Sequence, residues 1–183
     1  MKHLKIPGLA AAMAVAVVMI FAGSASATLL TSPAGNEYTG TWSWSLTESL
    51  SMKMGFANLT CTASTMAGKI ETNTTTASGK LTGLTYTGCG SSTVDVLSLG
   101  SLSVAADGTV TGVGNEITFS TSGTSCVYGF GTGTKLGTLK GGTTASLQIS
   151  AKIPKISGGF LCSSPAEWTG KYTVTAPDTL LVD

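Results

Sequence analysis

Histidine and arginine are nearly absent from this chain of 183 residues: the one histidine is His3, and all ten basic residues are lysines. Imidazole is the usual general base near neutral pH and the commonest metal ligand, while the guanidinium fork is the usual clamp for phosphate and carboxylate. Most hydrolase, zinc and phosphate chemistry is thereby excluded. No Cys-x-x-Cys pair occurs among the four cysteines, which removes thioredoxin-like redox catalysis and the commonest zinc spacing. Ser-x-x-Lys and Gly-x-Ser-x-Gly are missing as well, so no nucleophile arrives with a base at a known spacing. Gly68-Lys69, Gly79-Lys80 and Gly170-Lys171 lack the Ser or Thr of a phosphate loop and open no helical pattern. Charged residues make up only 10% of the chain.

What is present begins with a leader. Met1 to Lys5 are basic, thirteen apolar residues run from Leu9 to Phe21, and Ala25-Ser26-Ala27 is a small-x-small cleavage site. The run falls short of the roughly 20 apolar residues that span a bilayer, so residues 1–27 read as a cleaved signal peptide. Residues 28–36 read as a flexible arm and 37–183 as one domain, a length that supports a real core. After cleavage eight lysines face nine Asp and Glu residues, and the lysines are scattered from Lys53 to Lys171. With no basic stripe, neither nucleic acid nor stable membrane insertion is expected.

Cys61, Cys89, Cys126 and Cys162 form an even set in an exported chain, which predicts two disulfides with three connectivities open. Sequential pairing, Cys61 to Cys89 and Cys126 to Cys162, is favoured because it staples each half separately, each loop contributing about 3–4 kcal/mol. The expected location is secreted or extracytoplasmic: medium, cell surface or periplasm.

Strict alternation of apolar and polar residues dominates from Tyr38 onward. Trp42, Trp44 and Leu46 share one face, and Leu50, Met52, Met54 and Phe56 repeat the pattern. Leu102 and Val104 lead to Asp107-Gly108 and Val110 leads away, a hairpin signal suited to a type I′ turn. Residues 129–142 are glycine-rich and read as a mobile loop or hairpin tip. Leu147, Ile149, Ala151 and Ile153 form the cleanest strand, and Trp168, Gly170, Tyr172 and Val174 the last. Nine or ten short strands predict an all-β fold, an antiparallel two-sheet β-sandwich of the immunoglobulin-like kind.

Trp42, Trp44 and Trp168 are the residues to recruit for stacking on a flat ligand, although alternation alone places them in a core. Met52 and Met54 could offer soft sulfur to Cu(I), but the same spacing suits any inward-facing strand. The carboxylates, from Glu37 to Asp183, stand at strand ends and turns and are not gathered into an oxygen-rich loop. Neither catalytic residues, metal nor cofactor are expected.

Thr124-Ser125-Cys126-Val127-Tyr128, the run from Leu136 to Gly142, and Cys162 followed by Trp168 to Val174 resemble a recurrent pattern of small exported four-cysteine β proteins of bacteria, many from actinobacteria, with no assigned function. The resemblance implies a stapled β fold and brings no catalytic residue with it. The chain is also similar in composition to the apoproteins of the enediyne chromoproteins, which carry a small apolar ligand but close much shorter disulfide loops.

The expectation is a non-enzymatic exported protein acting at the cell surface or in the matrix through contact with a polymer or with itself. The alternative is a secreted small-molecule carrier with a cavity between its sheets.

Overall fold

A computed structural model describes residues 29–33, 35–55 and 57–183. The leader expected at 1–27, Thr28 of the expected arm, and Phe56 lie outside the described residues. Among the described residues there is no helix, as the alternation requires. The strands in chain order are β1 (Leu30–Thr31), β2 (Thr41–Gly55), β3 (Asn58–Cys61), β4 (Ala63–Asn73), β5 (Thr76–Thr87), β6 (Thr93–Ser98), β7 (Ser101–Ala105) and β8 (Thr109–Val113). They continue with β9 (Glu116–Thr121), β10 (Thr124–Gly129), β11 (Thr134–Lys140), β12 (Ser146–Ile153), β13 (Lys155–Gly158), β14 (Cys162–Ala176) and β15 (Leu181–Val182).

The expected two-sheet, immunoglobulin-like sandwich is not what forms. β2, β4, β5, β7, β8, β11, β12 and β14 pair in that order, and β14 returns to pair antiparallel with β2, closing an eight-stranded barrel. The physical reason is length and bending. β2 and β14 each run 15 residues, and four register shifts along their shared ladder let them coil through the closure. A closed sheet and a facing pair of sheets both require alternate residues to point inward, so the same apolar pattern serves either. Closure pairs each barrel strand on both sides along part of its length, a benefit for a chain with little charge to guard an edge, while the short β3, which pairs with β2 alone, stays at the edge of the sheet.

The barrel interior takes the residues the alternation selects. Leu50, Met52, Leu147, Ile149, Trp168 and Tyr172 are all buried, each large apolar side chain contributing about 1.5–3 kcal/mol. The outward positions of β12, Ser146, Gln148, Ser150 and Lys152, are polar. That is the reverse of the apolar outer band of a membrane barrel.

Two local expectations change. The β7–β8 hairpin forms where Asp107-Gly108 signals it, but the turn is closed by Gly108 N–H donating to Ala105 C=O at 2.9 Å, and of Asp107 and Gly108 only the glycine has positive φ, +77°. This is a type I turn followed by a left-handed glycine rather than type I′. The glycine-rich run expected as a mobile loop or hairpin tip contains β11, whose Leu136 and Leu139 are buried in the barrel. Gly137 is required there, because a β-carbon would run into the Gln148 carbonyl of the neighbouring strand.

A second, four-stranded sheet in the order β13-β10-β9-β6 packs at the barrel end where β14 begins. Phe130, just after β10, stacks on Trp168 with ring centroids 5.7 Å apart, and the Tyr128 hydroxyl donates to Ser163 C=O at 3.0 Å. Cys126 and Cys162 are joined across this junction, and Cys61 and Cys89 join the end of β3 to the β5–β6 connection. The pairing is sequential, and the bridges are compatible with an oxidising, extracytoplasmic environment. At the opposite end β1 pairs with β15. Part of the stretch read as an arm is anchored here: Asn73 Oδ1 accepts from the Leu29 and Leu30 N–H groups, and its Nδ2 donates to the Leu30 and Tyr38 carbonyls.

Candidate functional site

The three tryptophans singled out for ligand stacking part company. Trp42 and Trp44, two residues apart on β2, both point into the barrel and meet edge to face, with centroids 6.2 Å apart and planes at 80°. They line an apolar cavity at the β1–β15 end together with Leu30, Tyr38, Ile70 and Leu180. Gly68 leaves room for the Trp42 ring, which a β-carbon at that position would strike. The cavity is small, about 40 Å³, against roughly 300–1,000 Å³ for a small-molecule site. Trp168 sits at the other end, only 2% exposed and stacked on Phe130, and does not line this space. Its indole Nε1 finds no acceptor among the described residues.

Beside Ser64 and Asn73, the barrel holds two phenols whose hydroxyls are withdrawn from solvent. Tyr172 donates to Ser64 Oγ at 2.9 Å, and burial pushes its pKa up to about 12 from an ordinary 10.0, the hydrogen bond opposing the shift. Tyr86 is raised well above its ordinary value, first by burial and then by the nearby Tyr172. Both stay protonated and neutral near pH 7, so neither supplies a proton acceptor there. Met52 and Met54 are buried on the inner face, as packing requires.

The ionised groups lie outside. Glu71 pairs with Lys80 at 3.1 Å and Glu48 with Lys171 at 3.3 Å, all substantially exposed. Asp107 is held below its ordinary pKa mainly by hydrogen bonds from the Thr109 N–H and hydroxyl. Among the described residues no three His, Cys, Asp or Glu side chains gather closely enough to hold a metal ion. No helix among them is long and apolar enough to cross a membrane.

Two surface features had no visible sequence signal. The outer face of β11, β12 and β14 is troughed, with two contiguous concavities of about 570 and 600 Å³ sharing Lys135 and Ser150. Lys152 and Glu167 line the first, and Lys140, Gln148 and Lys171 the second. Four lysines that are far apart in sequence thus meet on one face, because three strands from residues 134 to 176 are neighbours. The other feature is β13 with its connection to β14, the strand presenting Ile156 and the connection Leu161 and a Phe160 that is 95% exposed. Lys155 Nζ donates to the Gly159 and Cys162 carbonyls and braces that tip.

No protein-family model, curated protein or solved structure matches this chain.

Proposed function

We propose that this is an exported, non-enzymatic barrel that acts at the cell surface or in the extracellular matrix, by contact of its outer faces with a polymer or with copies of itself. The observation that carries this reading is a barrel filled by its own side chains, Trp168, Tyr172, Leu50 and Met52 among them, beneath outer faces rich in Ser, Thr and Lys. A filled interior leaves the surface as the place of work, and hydroxyl-rich strands suit hydrogen bonding to a hydrated polymer. Co-sedimentation of the mature protein with isolated wall and matrix material tests it. Saturable retention, or growth into larger species without added polymer, is expected; a monomer that stays in the supernatant with every fraction overturns it.

The cavity beneath Trp42 and Trp44 supports a second reading, a carrier of a small apolar molecule held inside the barrel. At about 40 Å³ the space must enlarge, and the β1–β15 ribbon over it is the element to move. Organic extraction of protein from its native source, followed by mass spectrometry, distinguishes the two readings: a stoichiometric apolar compound favours the carrier.

A further inference from the structure

We infer that the trough across β11, β12 and β14 binds an anionic polysaccharide, a refinement that rests on the polymer-contact reading above. The outside of a closed barrel is ordinarily convex, yet here two concavities run together, and the side chains that line them are of two chemical kinds. Lys135, Lys140, Lys152 and Lys171 supply cations, while Ser146, Gln148, Ser150 and Thr169 supply hydroxyl and amide groups between them. The strand registers fix the layout: Lys140 lies opposite Ser146, Gln148 opposite Lys171, Ser150 opposite Thr169, and Lys152 opposite Glu167.

Carboxylates at the trough are fewer than its lysines. Glu167 lies within it, and Glu48 at its border is paired with Lys171. Asp107 lies close enough to Lys135 to feel its charge. Over the whole chain acids nearly balance bases, so concentrating half of the eight lysines beyond the leader here leaves the rest of the surface the more acidic. An anionic chain is therefore drawn to this face in preference to others.

Spacing selects among polyanions. Neighbouring strands stand about 4.8 Å apart and residues rise about 3.4 Å along each, which places these lysines between roughly 6 and 20 Å from one another. Duplex DNA presents a charge every 1.7 Å or so, far denser than these cations, and single strands are held by stacking on aromatic or arginine planes, of which the trough has none. A chain with one carboxylate on each sugar or every second sugar fits better. Its remaining hydroxyls meet the Ser, Thr and Gln side chains.

The test is titration of the mature, disulfide-intact protein with polygalacturonate at low and moderate salt, with neutral dextran and a single-stranded oligodeoxythymidine as comparison probes. Saturable binding that weakens steeply with salt is expected for polygalacturonate, and none for dextran. The variant K135Q/K140Q/K152Q/K171Q should lose at least about tenfold in affinity and most of the salt dependence. A second variant, K69Q/K80Q, removes two lysines from β4 and β5 and should bind as the parent does. Near-UV circular dichroism confirms that both variants are folded. Equal losses in the two variants, or tighter binding of the oligonucleotide, overturn the assignment. A parent that ignores polygalacturonate yet sediments with wall material overturns this inference alone; one that does neither overturns the polymer-contact reading too.

Discussion

Trp44 on β2 and Val174 on β14 lie directly opposite one another, and that pairing, between residues 130 positions apart in the chain, is part of the ladder that closes the barrel. Every other pairing in the main sheet could be made in an open sheet. The ladder therefore sets the fold, and its two strands carry the side chains at both ends of the interior: Trp42 and Trp44 at one, Trp168 at the other.

Packing around Trp42 gives the first prediction. A β-carbon at Gly68 would strike the Trp42 ring and the Lys80 carbonyl, which is backbone and cannot turn aside. Gly68→Ala should cost about 1–3 kcal/mol by overpacking, read from urea unfolding, and should shift the tryptophan emission. Unchanged stability would mean that β4 and β5 are not held this close.

A second prediction concerns Asn73, which is buried and bonded to Leu29, Leu30 and Tyr38 backbone groups. Asn73→Ala strands those donors and acceptors and should cost about 2–3 kcal/mol. Hydrogen exchange should accelerate first at Leu30 and Thr31, since the β1–β15 ribbon hangs on this side chain. Global acceleration without a local excess would argue against that role.

Alternation told which residues face inward, and Leu147, Ile149, Ala151 and Ile153 are buried as it requires. It could not tell barrel from sandwich, because both have one inner face per strand and the difference lies in whether β14 meets β2. Glycine content misled at β11: a run with Gly131, Gly133, Gly137, Gly141 and Gly142 looks like a loop, while the inward Leu136 and Leu139 make it a wall of the barrel. Trp42 and Trp44 could be placed together by their spacing, but nothing local shows that Trp168 stacks on Phe130 instead. The lysine trough was illegible for the same reason, since its members become neighbours only through the registers of β11, β12 and β14.

Each disulfide should contribute separately. Replacing Cys126 and Cys162 together by Ser frees a loop of 36 residues between the small sheet and β14, and should cost about 2–5 kcal/mol. The Cys61 and Cys89 double variant, with a separation of 28, should cost a comparable amount. Denaturant midpoints of both variants and of the quadruple variant check this, near-additive losses being expected because the bridges close separate, non-overlapping loops of the chain.

Alkaline pH supplies the last prediction. The folded-state pKa of Tyr172 is raised to about 12, above the 10.0 of an accessible phenol, so the folded protein holds this proton more tightly than the unfolded chain. Its contribution is fully present below pH 10, declines as the unfolded chain begins to ionise, and is lost as pH rises through the folded value. Tyr86, shifted in the same direction, adds to the decline. Urea midpoints should therefore fall from about pH 10 upward, and Tyr172→Phe should flatten the fall. A midpoint indifferent to pH over that window would show the phenol to be accessible.

The most direct test of a surface role is fractionation of the native host, comparing culture medium, salt-washed wall and matrix, and periplasm for the mature chain and its assembly size. The account predicts retention in wall or matrix, released by salt or recovered as large species. A free, soluble monomer confined to medium or periplasm would contradict it.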